Sequence, residues 1–146
     1  MPKTYDPHMH TAEHILNQTM VRMLDCGRSF SSHLERKKSK CDYHFDRNLA
    51  PEEISSIESR VNAVIQSDAG VSEEMVPREE AAKVFDLARL PDSAGDPLRI
   101  IRIGDYDACP CIGEHVKHTR DIGAFRIIST SFENEVLRVR FKLAMH

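Results

Sequence analysis

The sequence predicts an α+β domain with a largely antiparallel sheet packed against helices. Three observations carry this expectation. Two segments repeat apolar residues at helical spacing, the last segment alternates apolar and basic residues, and helices and strands intermix without regular βαβ order. Over residues 11–24, Ile15, Leu16, Val21 and Leu24, with Met20 and Met23, fit a helix with one buried face, and Cys26-Gly27 is its expected stop. Pro51-Glu52-Glu53 opens a second helix, since proline is tolerated in a first turn and acids suit the positive end of the helix dipole. Its stripe is Ile54, Ile57, Val61, Val64 and Ile65, and Gly70 ends it. A third, shorter helix is expected after Pro77, with Glu79 and Glu80 in its first turn and Ala81, Val84, Phe85 and Leu87 free to pack. Residues 98–103 and 125–128 are β-branched, bounded by Gly or Asp, and read as strands; residues 43–45 are a weaker strand signal. At the end, Leu137, Val139, Phe141 and Leu143 alternate with Arg138, Arg140 and Lys142, the period of a half-buried strand.

A chain of 146 residues with 40% hydrophobic content fits a single domain over 1–146. No run approaches the ~18 apolar residues that cross a bilayer, and the first six residues lack the apolar stretch of a secretory leader. Membrane, collagenous and disordered classes are excluded. Four cysteines are too few for a disulfide scaffold, and two of them form Cys109-Pro110-Cys111, so reduced thiols in a cytoplasm are expected. Cys26 and Cys41 read as small core or loop residues. A net charge of -3 argues against bulk electrostatic coating of nucleic acid and leaves room for a local basic patch.

Two segments are rich in metal ligands. In His10-Thr11-Ala12-Glu13-His14 the two histidines stand four apart, so on a helix both imidazoles reach one ion. The plain alternative is two polar residues sharing a face. In Cys109-Pro110-Cys111-Ile112-Gly113-Glu114-His115, a thiol and an imidazole flank a short glycine-containing turn, a common half of a zinc site. Its plain alternative is a buried cysteine beside a surface histidine. Together, from opposite ends of the chain, the halves suggest one clamp.

The joint pattern resembles the editing-domain family of alanyl- and threonyl-tRNA synthetases, which pairs a His-x-x-x-His helix with a later Cys-x-x-x-His. Here these are His10/His14 and Cys111/His115, and the resemblance selects Cys111 over Cys109. The run from His115 to Gly123 is similar to the family's His-Val-x-x-Thr-x-x-Ile-Gly, residues 57–62 resemble its helix after a small strand, and residues 136–141 resemble its closing basic strand. The likeness covers residues 10–143 and implies the fold of the second additional domain of those synthetases, here as a stand-alone cytoplasmic protein. One departure stands out: the family's Cys-Gly-Gly-Thr-His is Cys111-Ile112-Gly113-Glu114-His115, which is expected to put a side chain and a carboxylate beside the site and so to reshape the amino-acid pocket, to change which ester is cut, or to mark a member that binds without hydrolysing.

The resemblance implies hydrolysis of the ester that joins a wrong amino acid to tRNA, with zinc held by His10, His14, Cys111 and His115. Seryl- or glycyl-tRNA of the alanine type is the expected mischarged substrate. Zinc lowers the pKa of bound water and polarises a carbonyl. Reading serine's hydroxyl needs a polar partner, for which Ser31 and Ser32 in Ser29-Phe30-Ser31-Ser32-His33 are candidates. Lys37 and Lys38 in a basic run, and Arg138 and Arg140 with Lys142 on the last strand, are candidates for phosphate contacts. His118 and His44 are candidates for proton transfer, against the plain reading of exposed imidazoles.

Two rival functions remain at this level. His10-Thr11-Ala12-Glu13-His14 also satisfies His-x-x-Glu-His of inverted zinc peptidases, with Glu13 as base and Glu79 or Glu80 as third ligand. A non-catalytic, zinc-stapled RNA-binding domain of the same fold is the other.

Overall fold

The computed structural model describes residues 6–87, 90 and 94–144. The absence of a leader was read from a stretch of which residues 1–5 lie outside the described residues. The elements run α1 (Pro7–Leu24), β1 (Ser31–Leu34), β2 (Ser39–His44), α2 (Pro51–Gln66), β3 (Val71–Val76), α3 (Arg78–Ala82), β4 (Leu98–Ile103), β5 (Asp107–Pro110), a 3-10 turn (Thr119–Ile122), β6 (Phe125–Glu133) and β7 (Val136–Leu143). They form two antiparallel sheets, one of order β1-β2-β7-β6 and one of order β3-β4-β5. The α+β expectation holds.

Helix α1 starts four residues before the apolar pattern does. The Asp6 carboxylate caps it, accepting from the amides of His8 at 2.9 Å and Met9 at 3.3 Å. It ends at Leu24, where Asp25 turns left-handed (φ 54°) one residue ahead of the expected Cys26-Gly27 stop. The single buried face expected of α1 is too narrow. Every residue from Met9 to Asn17 is buried, because its polar residues meet other elements rather than water. Helix α2 buries Ile57, Val61 and Ile65 on one face. Ala50 offers no capping side chain, so Glu53 reaches back to the Ala50 amide at 2.9 Å while pairing with Arg47. This helix stops at Gln66, short of Gly70, and Asp68 (φ 55°) breaks it.

Strand β7 alternates as expected: Leu137, Val139 and Phe141 are buried and Arg138, Arg140 and Lys142 point away. A two-residue turn, Asn134-Glu135, both at positive φ, joins it to β6. With α1, α2, β1, β2 and β6 it builds the main apolar cluster, centred on Ile15, Leu16, Met20, Tyr43, Ile57, Phe125, Val139 and Phe141. Burying each such large side chain contributes about 1.5–3 kcal/mol.

The small sheet carries its own cluster, Ala81, Leu98 and Ile100 against Phe85 and Leu87. The third helix is a single five-residue turn, and Val84 lies beyond it, 75% exposed. Strand β3 escapes the apolar-pattern reading because its centre is Ser72-Glu73-Glu74; it is held by cross-strand ion pairs, Glu73 to Arg99 and Glu74 to Arg102. Among the described residues, no helix is long and apolar enough to cross a membrane.

Candidate metal centre

Two pieces of chain 101 residues apart meet at one point, where His10 Nε2 stands 3.3 Å from Cys111 Sγ. One ligand atom each from His10, His14, Cys111 and His115 lie within 4.8 Å of one another. His10 and His14 face the same way because they are one helical turn apart on α1. Cys111 and His115 sit on the loop that leaves β5, and β4 fixes its shape. The Cys111 amide donates to the Arg99 carbonyl at 3.1 Å, and the Arg99 guanidinium donates to the Gly113 carbonyl at 2.6 Å.

Glycine is required at position 113 by close approach. A Cβ there would fall 2.3 Å from Cε1 and 2.6 Å from Nδ1 of His10. The loop therefore lies flat against the imidazole. The rings of His10 and His115 stack at 4.2 Å, and His14 meets both edge-on at 5.1 and 4.5 Å.

What each Nδ1 touches fixes the role of each Nε2. His10 Nδ1 lies 3.1 Å from the Glu114 carbonyl, which can only accept, so this nitrogen carries the proton and Nε2 presents a lone pair. The Thr11 hydroxyl donates its one proton to the Pro7 carbonyl at 2.9 Å. It can therefore only accept from His115 Nδ1 at 3.0 Å, as it does from the Val116 amide at 3.1 Å. His115 Nε2 is left buried with no hydrogen-bond partner. His14 Nδ1 lies 3.6 Å from Asp107 Oδ2, an ion-pair distance beyond hydrogen-bond reach. Asp107 is in turn gripped by Arg28 at 2.8 Å and Gln18 at 3.0 Å. Two imidazoles held by hydrogen bonds at Nδ1, a third facing a buried carboxylate, and an orphaned Nε2 among them match the outer support that metal-bound histidines show.

The electrostatics agree. Burial pushes the Cys111 thiol up, but the surrounding imidazoles of His10, His115 and His14 outweigh it and hold the thiol down at about 3, making it a thiolate. Burial disfavours a charged His14, yet Asp107 and Cys111 outweigh it and push it up to about 9. His115 is lowered to about 4, by burial first and then by the other two histidines. Burial raises Cys109 to about 11, so the neighbour of Cys111 stays a thiol. One soft thiolate and three imidazoles within reach of a common point can hold a metal ion, and the donor set suits zinc.

The other candidates are dispersed. Ser31 is exposed and pairs with Asp42 in register, whereas Ser32 pairs with Cys41 and faces the helices. Ser32 Oγ lies 2.9 Å from Ser29 Oγ and donates to Cys41 Sγ at 3.5 Å. Lys37 and Lys38 are exposed between β1 and β2. Arg138 is committed to a bidentate pair with Asp42 at 2.8 and 2.9 Å, whereas Arg140 reaches Ser129 and Ser131 at 3.4–3.5 Å. Lys37, Arg126 and Lys142 line a cleft of about 680 Å³ with Glu58 and Asn62. His118 is exposed opposite Asp68 at 3.7 Å, and His44 stacks on Phe30 at 3.9 Å. Glu79 and Glu80 are exposed on α3, and the donors that meet His10 and His14 are Cys111 and His115.

Ile112 is 60% exposed, and Glu114 reaches the site through its carbonyl, which any residue supplies. Sequence reasoning missed Thr11, Asp107 and Arg28 as supports, and Arg99 as the clamp. No local pattern marks them, because each acts on a histidine or loop remote in the chain.

Comparison with known proteins gives a consistent picture. The profile of the threonyl and alanyl tRNA synthetase second additional domain matches residues 98–139. Alanine--tRNA ligase of Coxiella burnetii (strain Dugway 5J108-111) is 32% identical over 123 residues, covering 84% of this chain and 14% of that protein. That of Thermoanaerobacter sp. (strain X514) is 33% identical over 130 residues, covering 88% and 15%. That of Bacillus subtilis (strain 168) is 32% identical over 123 residues, covering 84% and 14%. The chain spans about a seventh of the length of these relatives.

Proposed function

The chain belongs to the editing-domain family of alanyl- and threonyl-tRNA synthetases, and from that membership we propose that it is a zinc-dependent hydrolase of mischarged tRNA. Its substrates on this reading are seryl- or glycyl-tRNA of the alanine type, met in the cytoplasm by a single domain acting in trans. The observation that carries the reading is the convergence of the His10, His14 and His115 imidazoles on the Cys111 thiolate, with His10 and His115 held by hydrogen bonds at Nδ1 and His14 facing Asp107. When bound, zinc supplies an acidified water and a polarised carbonyl.

The chain's own residues do the rest. His10, His14, Cys111 and His115 hold the ion. Ser32, on the helix-facing side of β1 beside Ser29 and Cys41, is the group for a serine hydroxyl. Lys37, Lys38 and Arg140, with Arg126 and Lys142, take phosphates of the acceptor end. Arg138 contributes less, since Asp42 already neutralises it.

Four protein donors fill a tetrahedral shell, whereas catalytic zinc keeps a position open. That observation favours a second reading, a zinc-stapled RNA-binding domain without catalysis. Incubating the protein with seryl-, glycyl- and alanyl-tRNA separates the two. Hydrolysis of the first two, abolished by His10→Ala together with zinc content, is the expected result. Tight tRNA binding with no deacylation of any of the three would overturn the hydrolase.

A further inference from the structure

One buried carboxyl group takes no part in the chemistry proposed for the site. Glu13 lies on α1 between the two histidines, with 7% of its surface exposed. Among the described residues no hydrogen bond to its carboxylate is found, and His10 Nε2 lies 3.9 Å from Oε1. It stands outside the four-donor group. Its charge also bears on Cys41, in the helix-facing row of β1 and β2 that holds Ser32. One turn along the same face, Asn17 Oδ1 accepts from the Ser29 amide at 3.1 Å and the Tyr43 hydroxyl at 2.8 Å. The nearby guanidinium, Arg28, is already committed to Asp107.

A carboxylate withdrawn from water without hydrogen-bond donors is costly, and a cation with several N–H groups would supply them. We propose that Glu13 receives the α-ammonium of an aminoacyl ester, as a positioning residue between the metal centre and the Ser32–Cys41 row. This rests on the hydrolase reading for its substrate class. In that pose the ester faces His10 Nε2 and Cys111, and the amino-acid side chain faces Ser32. Glu13 thereby restricts the site to esters of free amino acids and turns away acyl groups without a charged amine.

The test uses two stable probes, adenosine carrying a seryl amide at its 3′ position and the same compound with the amine replaced by hydrogen. Binding of both to the zinc-loaded protein and to Glu13→Gln is measured by calorimetry, with zinc content and thermal unfolding as controls. A charge-assisted contact of this kind corresponds to about 10–100-fold in affinity. The wild type should prefer the amine-bearing probe by that factor, and Glu13→Gln should bind both within about threefold, at unchanged zinc content and melting temperature. Equal binding of the probes by the wild type, binding of neither, a preference that survives in Glu13→Gln, or loss of zinc in that variant would overturn the assignment. Deacylation of seryl-tRNA is assayed in parallel: a Glu13-dependent preference without turnover supports the ammonium site and contradicts the hydrolase.

Discussion

Thr11 Oγ1 and His115 Nδ1 lie 3.0 Å apart although 104 residues separate them in sequence. The same oxygen spends its proton on the Pro7 carbonyl and accepts the Val116 amide, so it dictates the tautomer of His115 and anchors the loop that carries it. Thr11→Val removes both acceptances at nearly constant volume. Metal affinity, measured by competition with a chromophoric chelator, should fall by about 10–100-fold, and stability by about 1–3 kcal/mol. Thr11→Ser should restore most of both. Unchanged affinity in the valine variant would remove Thr11 from the site.

Metal uptake should release a proton from His14. With that imidazole raised to about 9 and Cys111 lowered to about 3, the metal-free site at pH 7 holds an imidazolium beside a thiolate. Metal binding needs the bare nitrogen, so the His14 proton competes with the ion, and affinity should climb by about tenfold per pH unit between pH 7 and 9 before levelling. Calorimetry in buffers of different ionisation enthalpy reads the proton directly. Binding that is independent of pH over that range would contradict the assigned pair.

Gly113→Ala tests the close approach of loop and ring. The added methyl meets His10 Cε1 at 2.3 Å, and that ring is pinned by the Glu114 carbonyl, so ring and loop must part. Overpacking of this kind costs about 1–3 kcal/mol, and it should be accompanied by at least a tenfold drop in metal affinity. A fully metallated, equally stable alanine variant would show that the loop stands farther off.

Asp107 carries a further expectation. Its side chain is fully buried between Arg28 and His14, which outweigh burial and hold its carboxyl below the usual range. Asp107→Asn leaves Arg28 without its anion and should cost about 3 kcal/mol at neutral pH. Because the folded-state pKa is depressed, the carboxylate's contribution is complete above the unfolded value near 3.8 and fades as pH falls below it. The stability gap between wild type and variant, followed by denaturant unfolding, should be constant from pH 5 to 7 and close below pH 4. A gap that widens on acidification would reverse the assigned sign.

Much of the fold was legible because burial wrote itself into spacing. The stripe Ile57, Val61, Ile65 and the alternation Leu137, Val139, Phe141 survive intact in α2 and β7. Strands β1, β3 and β5 were not legible: they are short, and β3 is held by Glu–Arg pairs with β4 rather than by an apolar face. The breadth of burial around α1 was hidden too, since its polar residues are covered by partners about a hundred positions away. The two ligand-rich halves could be picked out because each is local in sequence, and the resemblance to the editing-domain family selected Cys111 over Cys109; the structure brings these four side chains together. Their supports could not be picked out, because one is a backbone carbonyl and the others, Thr11 and Asp107, act on histidines of another segment.

X-ray absorption at the zinc edge of the purified protein tests the centre itself. One sulfur scatterer at about 2.3 Å with imidazole nitrogens at about 2.0 Å, the sulfur disappearing in Cys111→Ala, is the expected spectrum. A metallated protein whose spectrum holds only nitrogen and oxygen, or a sulfur shell that survives the loss of Cys111, would contradict a site built from both ends of the chain.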